Sequence, residues 1–112
     1  MKILYVENHA VFAAQVCQQF LSAHAVHVVP TLTAAQGALS SGNYDLAIVD
    51  YDLDDGKGDE FVRSCLARYP RLKIIAGSAH AAGNAALVKA GASAVCGKME
   101  FHRIQSVIDE LV

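Results

Sequence analysis

Long apolar segments and clusters of basic residues are both missing from this sequence. No apolar run approaches the roughly 20 residues that a membrane-spanning helix requires. Glu7 interrupts the first apolar run too early for a secretory signal peptide. The net charge is −2 and the basic residues are scattered, which argues against direct nucleic-acid binding by this domain. We therefore expect a cytoplasmic domain that contacts neither a membrane nor nucleic acid.

Cysteine is scarce, and the histidines show no metal-ligand spacing. The three cysteines, Cys17, Cys65 and Cys96, are odd in number, far apart and in apolar settings. This pattern favours small core residues in a reducing compartment over a disulfide, redox or metal role. His24 and His27 are near neighbours, but the valines around them indicate a loop and a strand edge instead of a zinc site.

Hydrophobic residues, by contrast, are abundant. They make up 54 % of the 112 residues, and the mean hydropathy is +0.30. The length allows one domain, residues 1–112, and one hydrophobic core region but not two domains. Such a composition suits a β-sheet that is covered on both faces.

Short apolar strands alternate with amphipathic helices along the whole chain. The predicted strands are residues 3–6, 26–29, 46–49, 72–77 and 92–97, and the helices between them include residues 9–23, 33–41 and 82–90. We expect Asn8 to cap the first helix and a capping box at residues 33–36 to start the second. The five βα units predict an α/β fold with a parallel sheet and helices on both faces.

Polar side chains follow four of these strands. Asp50 and Asp52 follow the third strand, and six of the eleven acidic residues lie between Asp50 and Glu60. Because parallel strands share one carboxyl-terminal rim, these acids should meet the residues at the other strand ends, which are Glu7, Asn8, Ser78 and Lys98. Carboxylates for a hard cation, a carboxylate nucleophile, a hydroxyl and an ammonium together indicate phosphoryl transfer. The simpler alternative for the acidic segment is an ordinary surface loop.

Three segments carry a resemblance to a known family. Residues 50–58, D-Y-D-L-D-D-G-K-G, are similar to the D-L-x-L-P-D-G-x-G segment of response-regulator receiver domains. Residues 75–79 and 91–98 resemble the family's segments that end in Thr/Ser-Ala and in Lys. The resemblance spans essentially the whole chain. It implies a single receiver domain with the doubly wound, flavodoxin-like (βα)5 fold and strand order 2-1-3-4-5.

The resemblance also implies roles for individual residues. Asp50 would be the phosphoacceptor for a phosphohistidine on a sensor histidine kinase or phosphotransfer protein. Ser78 and Lys98 would contact the phosphoryl group, while Asp52 and His80 occupy positions that tune hydrolysis of the aspartyl phosphate. The protein would then be a signalling domain and not a classical enzyme, and it would switch an output domain or a target protein.

The resemblance also implies Mg²⁺ as the cofactor, which would be bound by Glu7, Asn8, Asp50 and the backbone carbonyl of Asp52. Asn8 departs from the family, which usually has an aspartate at that position. A unit charge pair at about 4 Å is worth on the order of 4 kcal/mol at an effective dielectric constant near 20, and less after solvation. We therefore expect weak Mg²⁺ binding. The alternative is that Asn8 is present only as a helix cap.

Other departures and contacts leave alternatives open. Val95 replaces the family's switch aromatic residue, and Met99 replaces a proline and so removes an expected cis peptide bond. These changes, with Asn8, favour a second hypothesis, in which a degenerate receiver acts through protein contacts without phosphorylation. A third hypothesis is a haloacid-dehalogenase-type phosphatase with Asp50 as nucleophile and Asp52 as general acid, although its D-x-D normally lies on the first strand.

The last two βα units offer a candidate contact or homodimer face. It combines small residues with Lys89, Met99, His102 and Arg103. An ordinary solvated surface explains the same residues equally well.

Overall fold

The computed structural model describes all 112 residues, and these form seven strands and five α-helices. The strands are β1 (Lys2–Val6), β2 (Ala25–Val29), β3 (Leu46–Val49), β4 (Asp52–Leu53), β5 (Gly56–Lys57), β6 (Lys73–Ala76) and β7 (Ala94–Val95). The helices are α1 (Ala10–Phe20), α2 (Leu32–Ser41), α3 (Gly58–Arg68), α4 (Ala81–Ala90) and α5 (Ile104–Leu111), the last preceded by a 3₁₀ helix over Lys98–Arg103.

Five of the strands form one parallel sheet in the order β2-β1-β3-β6-β7. The strands β4 and β5 form a separate antiparallel hairpin that the sequence did not predict. Without this hairpin, the order corresponds to the expected 2-1-3-4-5, so the α/β prediction is confirmed. The fifth predicted strand, residues 92–97, pairs only over Ala94–Val95.

The sheet separates two hydrophobic clusters. Successive side chains of a strand point to opposite faces, so β1 supplies Leu4 and Val6 to one cluster and Ile3 and Tyr5 to the other. All four side chains are fully buried. Burial on both faces explains why the central strands read as continuous apolar runs instead of alternating patterns.

The predicted bounds of the helices are close, but both predicted caps are wrong. At α1 the residue before the helix is His9, which makes no capping bond with its side chain, while Asn8 bonds to Asp54. At α2 the cap is Thr31, whose hydroxyl accepts from the backbone N–H of Ala34 at 3.1 Å. Thr33 is therefore inside the helix.

The charges of α3 suit its dipole, and two of the three cysteines are core residues as predicted, whereas Cys17 is only partly buried. Helix α3 carries Asp59 and Glu60 in its first turn and Arg68 in its last, where these charges interact favourably with the helix ends. The three thiols are free, and Cys65 and Cys96 are buried. No helix is long and apolar enough to cross a membrane. The backbone contains no cis peptide bond.

Candidate functional site

Three charged side chains meet at the carboxyl-terminal rim of the sheet. Glu7 directly follows β1 and Asp50 directly follows β3, while Lys98 begins the 3₁₀ helix after β7. The backbone hydrogen bonds between neighbouring strands extend to both acidic residues. The N–H of Glu7 donates to the carbonyl of Val29 and that of Asp50 donates to the carbonyl of Val6, each at 3.0 Å. The parallel strands therefore carry both carboxylates to the same edge.

Lys98 joins the two carboxylates. Its Nζ lies 2.8 Å from Oε1 of Glu7 and 3.1 Å from Oδ2 of Asp50. The side chains of Glu7 and Asp50 are 0 % and 5 % exposed, and that of Lys98 is 13 % exposed. The structure thus brings together three of the residues that the sequence analysis placed in one site.

Burial and neighbouring charges change how these groups titrate. Removal from water raises the pKa of Asp50, and the nearby Glu7 carboxylate raises it further, while Lys98 opposes both effects. Burial acts to lower the pKa of Lys98, but the carboxylates of Glu7 and Asp50 together outweigh it, so that this pKa is raised. The ammonium is therefore held in its charged form beside Asp50.

The backbone around Asp50 is tightly packed. Oδ1 of Asp50 accepts from the backbone N–H of Tyr51 at 2.8 Å, and the N–H of Gly58 donates to the carbonyl of Tyr51 at 2.7 Å. A Cβ atom on Gly58 would lie 2.0 Å from the carbonyl oxygen of Asp50. Only glycine therefore fits at the start of α3 without moving the backbone that carries the carboxylate.

Ser78 is buried at the end of the neighbouring strand. Its hydroxyl accepts from the backbone N–H of His80 at 3.2 Å, and its carbonyl accepts from the N–H of Lys98 at 3.3 Å. The side chain of Asn84 bonds to both the N–H and the carbonyl of Ser78, at 2.8 and 3.1 Å. Asn84 thus holds Ser78 in place, a contact that a single asparagine in an Ala-rich helix does not reveal in sequence.

Asp52 and His80 lie at the outer side of the rim. Asp52 is exposed and pairs with Lys57 across the β4–β5 hairpin. The hydrogen bond from Lys57 lowers the pKa of the Asp52 carboxyl. His80 is exposed directly before α4. The Asp52 carboxylate therefore has a partner outside the Glu7–Asp50–Lys98 group.

Asn8 and His9 complete the group on the β1 side. Nδ2 of Asn8 donates to Asp54 at 3.2 Å, but its Oδ1 is buried without a hydrogen-bond partner. Nδ1 of His9 lies 2.9 Å from Oε2 of Glu7, and one ligand atom each from Glu7, His9 and Asp50 lies within 4.8 Å of the others. Buried carboxylate and amide oxygens are ligands that a divalent cation such as Mg²⁺ takes, so the chemistry of Glu7, Asn8 and Asp50 fits such an ion.

The sequence analysis contains no prediction for His9, because this histidine belongs to no pair with metal-ligand spacing. Its signal in the sequence is its position two residues after Glu7, next to the end of a central strand.

The acidic loop is also anchored to a helix. The carboxylate of Asp55 accepts from the backbone N–H groups of Leu32 and Thr33 at 2.8 and 3.0 Å, and from the Thr33 hydroxyl at 2.9 Å. These bonds lower the pKa of Asp55, with the Leu32 N–H as the largest cause. The loop that follows Asp50 is therefore tied to the first turn of α2.

The candidate contact face is exposed. Val95 is 45 % and Met99 is 87 % exposed, and Lys89, His102 and Arg103 are exposed as well. Arg103 pairs with Glu100 at 3.3 Å within the 3₁₀ helix. No aromatic ring stands at position 95 to move between a buried and an exposed state.

The sheet order, the helices on both faces and the acidic rim together define the fold of response-regulator receiver domains. Solved structures of such domains match over nearly the whole chain. The response regulator TrrA from Thermotoga maritima, in complex with Mg²⁺ and BeF, is 20 % identical with a TM-score of 0.89, covering 99 % of this chain and 98 % of that one.

Two further structures agree. A CheY-like receiver domain protein from Methanospirillum hungatei is 20 % identical with a TM-score of 0.81, covering 98 % of this chain and 94 % of that one. The receiver domain of an HD domain-containing protein from Pseudomonas fluorescens is 18 % identical with a TM-score of 0.88, covering 98 % and 85 %. No protein-family model and no curated protein matches the sequence.

Proposed function

We propose that this chain is the phosphoacceptor receiver domain of a two-component response regulator, with Asp50 as the phosphorylated residue. The observation that carries this proposal is the buried ion-pair group in which Lys98 contacts both Glu7 and Asp50. A carboxylate that is buried yet held next to an ammonium is protected from bulk water and remains available as a nucleophile.

In the proposed reaction, a carboxylate oxygen of Asp50 attacks the phosphorus of a phosphohistidine. An O–P bond forms while the P–N bond breaks, and the electron pair stays on the imidazole nitrogen. The ammonium of Lys98 then stabilises negative charge on the phosphoryl oxygens. The Ser78 hydroxyl, held close by through the backbone contact between Ser78 and Lys98, would donate a hydrogen bond to the same group.

Mg²⁺ is the expected cofactor of this reaction, and when bound it neutralises charge on the transferring phosphoryl group. Glu7, Asp50, the Asp52 carbonyl and the orphan Oδ1 of Asn8 are the proposed ligands. Asn8 supplies a neutral oxygen in place of a carboxylate, so the proposal includes weak Mg²⁺ binding.

The test is chemical phosphorylation of the intact chain. Incubation with acetyl phosphate or a phosphoramidate and Mg²⁺ should add one phosphoryl group, measured by intact-mass analysis. Asp50→Asn should abolish the adduct, whereas the matched control Asp54→Asn, a loop acid outside the ion-pair group, should retain it. Absence of an adduct, together with an amide NMR spectrum that fluoroberyllate leaves unchanged, would contradict the proposal.

The proposed partners follow from this role. A sensor histidine kinase or phosphotransfer protein would donate the phosphoryl group in the cytoplasm, and an output domain or target protein would respond. Asp52 and His80, which flank the rim, would set the rate at which the aspartyl phosphate hydrolyses. The exposed face with Val95 and Met99 is the proposed surface for the target or a second copy of the chain.

A second candidate function is phosphorylation-independent binding by a degenerate receiver. The observation that favours it is that Asn8 lacks a charge and donates its amide to Asp54, while Val95 provides no switch ring. Absence of Mg²⁺ and Mn²⁺ binding at millimolar concentrations would support this candidate over the first. A phosphatase of the haloacid-dehalogenase type has less support, because the Asp52 carboxylate is paired with Lys57.

A further inference from the structure

The basic residues that lack an acidic partner gather at one end of the molecule. Four of the nine lysines and arginines form ion pairs, and these are Lys57, Arg63, Lys98 and Arg103. The other five are exposed and form no ion pair with an acid, and they are Lys2, Arg68, Arg71, Lys73 and Lys89.

The topology of the fold places these five cations at the same edge of the sheet. Lys2 and Lys73 are the first residues of β1 and β6. Arg68 and Lys89 lie in the last turns of α3 and α4, and the helices of βα units run back toward the edge where the strands begin. Arg71 lies in the connection between α3 and β6. The unpaired cations are therefore at the amino-terminal edge, opposite the acidic rim.

Few acidic residues offset these charges. Asp45 lies at the same end, but its carboxylate already accepts from the backbone N–H of Lys2 at 2.8 Å. Asp109 and Glu110 lie in α5, which packs on the other face of the sheet from α3 and α4. Cations therefore outnumber acids on the α3 and α4 side of this end.

The same end carries an open groove between two connecting segments, residues 42–45 and 69–72. A hollow of about 480 Å³ lies between the segments, and its apolar lining consists of Leu39, Tyr44, Tyr69, Pro70 and Leu72. A second hollow of about 470 Å³ shares part of the second segment and reaches Lys73. A third, of about 520 Å³, shares part of the first segment and reaches Lys2. The three hollows adjoin one another and form what we call the amino-terminal groove.

Two tyrosines of the groove hold cations beside their rings. Nζ of Lys2 lies 4.8 Å from the ring centroid of Tyr44, and Cζ of Arg68 lies 5.5 Å from that of Tyr69. The face of an aromatic ring attracts a cation, so these side chains are positioned next to the groove. The Tyr44 hydroxyl is 2.6 Å from Nδ1 of His27, and the Tyr69 hydroxyl donates to a carbonyl of α2 at 3.2 Å. Both hydroxyls are thus occupied, and the groove offers apolar rings with positive charges beside them.

Shape and charge together select the class of ligand. The groove is open to solvent and continues through three hollows, which suits an extended chain better than an enclosed small molecule. Its apolar residues line a concave surface and do not project as an anchor in a bilayer would. The net charge of −2 and the acidic rim disfavour a nucleic acid. Carboxylates with apolar side chains between them match the cations and the rings.

We propose that the amino-terminal groove binds an extended acidic segment of a partner protein. Carboxylates of the segment pair with Arg68, Arg71 and Lys73, while its apolar side chains pack against the rings of Tyr44 and Tyr69. This interaction goes beyond the proposed function, because the groove lies at the opposite end of the sheet from the phosphoacceptor and requires no phosphoryl group.

The test is an amide NMR titration of the full chain with an octapeptide of alternating glutamate and leucine that has blocked termini. Binding at millimolar concentrations or below should shift the amide signals of residues 42–45 and 69–73. A peptide with glutamine in place of glutamate should bind about fivefold more weakly or worse, because it lacks the charges. A peptide with serine in place of leucine should lose a similar factor, because it buries less apolar surface.

Two double variants with the same net charge separate the groove from the rest of the surface. Arg68→Gln combined with Arg71→Gln should weaken binding of the glutamate-leucine peptide by about fivefold to tenfold, which is what two exposed ion pairs contribute. Arg63→Gln combined with Arg103→Gln removes two cations outside the groove. This control should stay within about twofold of the unmodified chain, since distant exposed charges are screened by salt. All four side chains are exposed, and thermal unfolding checks that both variants fold.

Three results would overturn the proposal. They are the absence of binding, signal shifts that avoid both segments of the groove, and equal affinities of the two double variants. A single-stranded DNA oligonucleotide that binds more tightly than the peptide, with the same dependence on Arg68 and Arg71, would instead assign the groove to nucleic acid. Asp50→Asn should bind the peptide like the unmodified chain, so the outcome is independent of the phosphorylation test.

Discussion

At the scale of single residues, the carboxylate of Asp50 can react, but its burial lowers the stability of the folded protein. Its carboxylate is almost fully buried next to that of Glu7, and these surroundings raise its pKa above the ordinary value of 3.8. The carboxyl group of Asp50 therefore binds a proton more tightly in the folded protein than in the unfolded chain. Such surroundings fit the role proposed for Asp50, because groups at functional sites often reduce stability in this way.

The first prediction is that Asp50→Asn stabilises the protein at neutral pH by about 0.5–2 kcal/mol, because it removes a buried charge. Since the pKa is raised on folding, the folded state binds more protons than the unfolded state from about 3.8 up to the raised value. The unmodified protein therefore loses the stability that its protonated Asp50 carboxyl contributes as pH rises through this window. The advantage of the variant should shrink as pH falls toward 4, measured by urea denaturation at several pH values. An advantage that grows on acidification would contradict this reasoning.

The second prediction concerns two glycines in different surroundings. Gly58→Ala should lower the free energy of unfolding by about 1–3 kcal/mol, since its Cβ would overlap the backbone of Asp50. Gly37→Ala should raise it by about 0.5–1 kcal/mol, because this residue lies inside α2 with no atom within 4 Å of the new Cβ. Thermal unfolding followed by circular dichroism measures both. A similar effect of the two variants would show that close packing at Gly58 is not decisive.

Sequence alone located the charged residues of the rim but not the contacts that arrange them. Glu7, Asp50 and Lys98 were predictable because strand ends in a parallel sheet share an edge whatever the side-chain conformations are. The contacts of His9 and Asn84 depend on rotamers and on loop geometry, which leave no periodic pattern in a sequence.

At the scale of elements, the segment after β3 is fastened to α2. The two backbone N–H groups that Asp55 binds, those of Leu32 and Thr33, are among the first four of the helix, which have no partner inside it. The carboxylate also interacts favourably with the positive end of the helix dipole. The acidic loop and the start of this helix are thus held as one unit.

The third prediction is that Asp55→Ala lowers the melting temperature and exposes these two amides. Hydrogen exchange should accelerate at Leu32 and Thr33 more than at the C-terminal end of α2. Because the pKa of Asp55 is lowered on folding, its contribution is present above the ordinary value of 3.8 and is lost as pH falls through the lower folded value. The difference in melting temperature should therefore vanish in acid.

Asp54→Ala is the matched control, since this neighbouring acid contacts Asn8 instead of a helix end. It should leave exchange at both α2 amides unchanged. Equal acceleration in the two variants would mean that general loss of loop charge, and not the Asp55 contacts, protects the helix.

The errors at the two predicted caps have a common physical cause. Asn8 and Thr33 are both residue types that favour N-caps, but nearby residues compete for the role. Thr31 lies in extended backbone where its hydroxyl reaches Ala34, and the backbone conformation could not be read from the letters alone. The existence of the helices was predictable from apolar spacing, while their first residues depended on contacts distant in sequence.

At the scale of the whole molecule, one sheet supports two hydrophobic clusters. The 17 buried residues on one face and the 12 on the other share the backbone of the central strands. Neither cluster can lose its packing without exposing the sheet that the other needs. A single cooperative unfolding transition is the expected consequence for a domain of this size.

The fourth prediction uses adjacent residues of β1 that face opposite clusters. Ile3→Ala and Leu4→Ala should each destabilise the protein by about 2–5 kcal/mol, as for other large-to-small core substitutions. Both variants should keep one transition with an unchanged slope against urea concentration. Val11→Ala, at a side chain that is 74 % exposed, should change stability by less than about 0.5 kcal/mol. Two separate transitions in either core variant would refute the shared-sheet account.

The unequal lengths of the two outermost strands make the borders of the sheet different. Strand β7 pairs over two residues, whereas β2 pairs over five and leaves Ala25, His27 and Val28 exposed. An outermost strand with free backbone donors and acceptors is a template on which another polypeptide can align. Aggregation of this domain would therefore start at β2, at the opposite edge of the sheet from β7. A lysine in place of Val28 would place a charge on this strand and so discourage pairing with another chain.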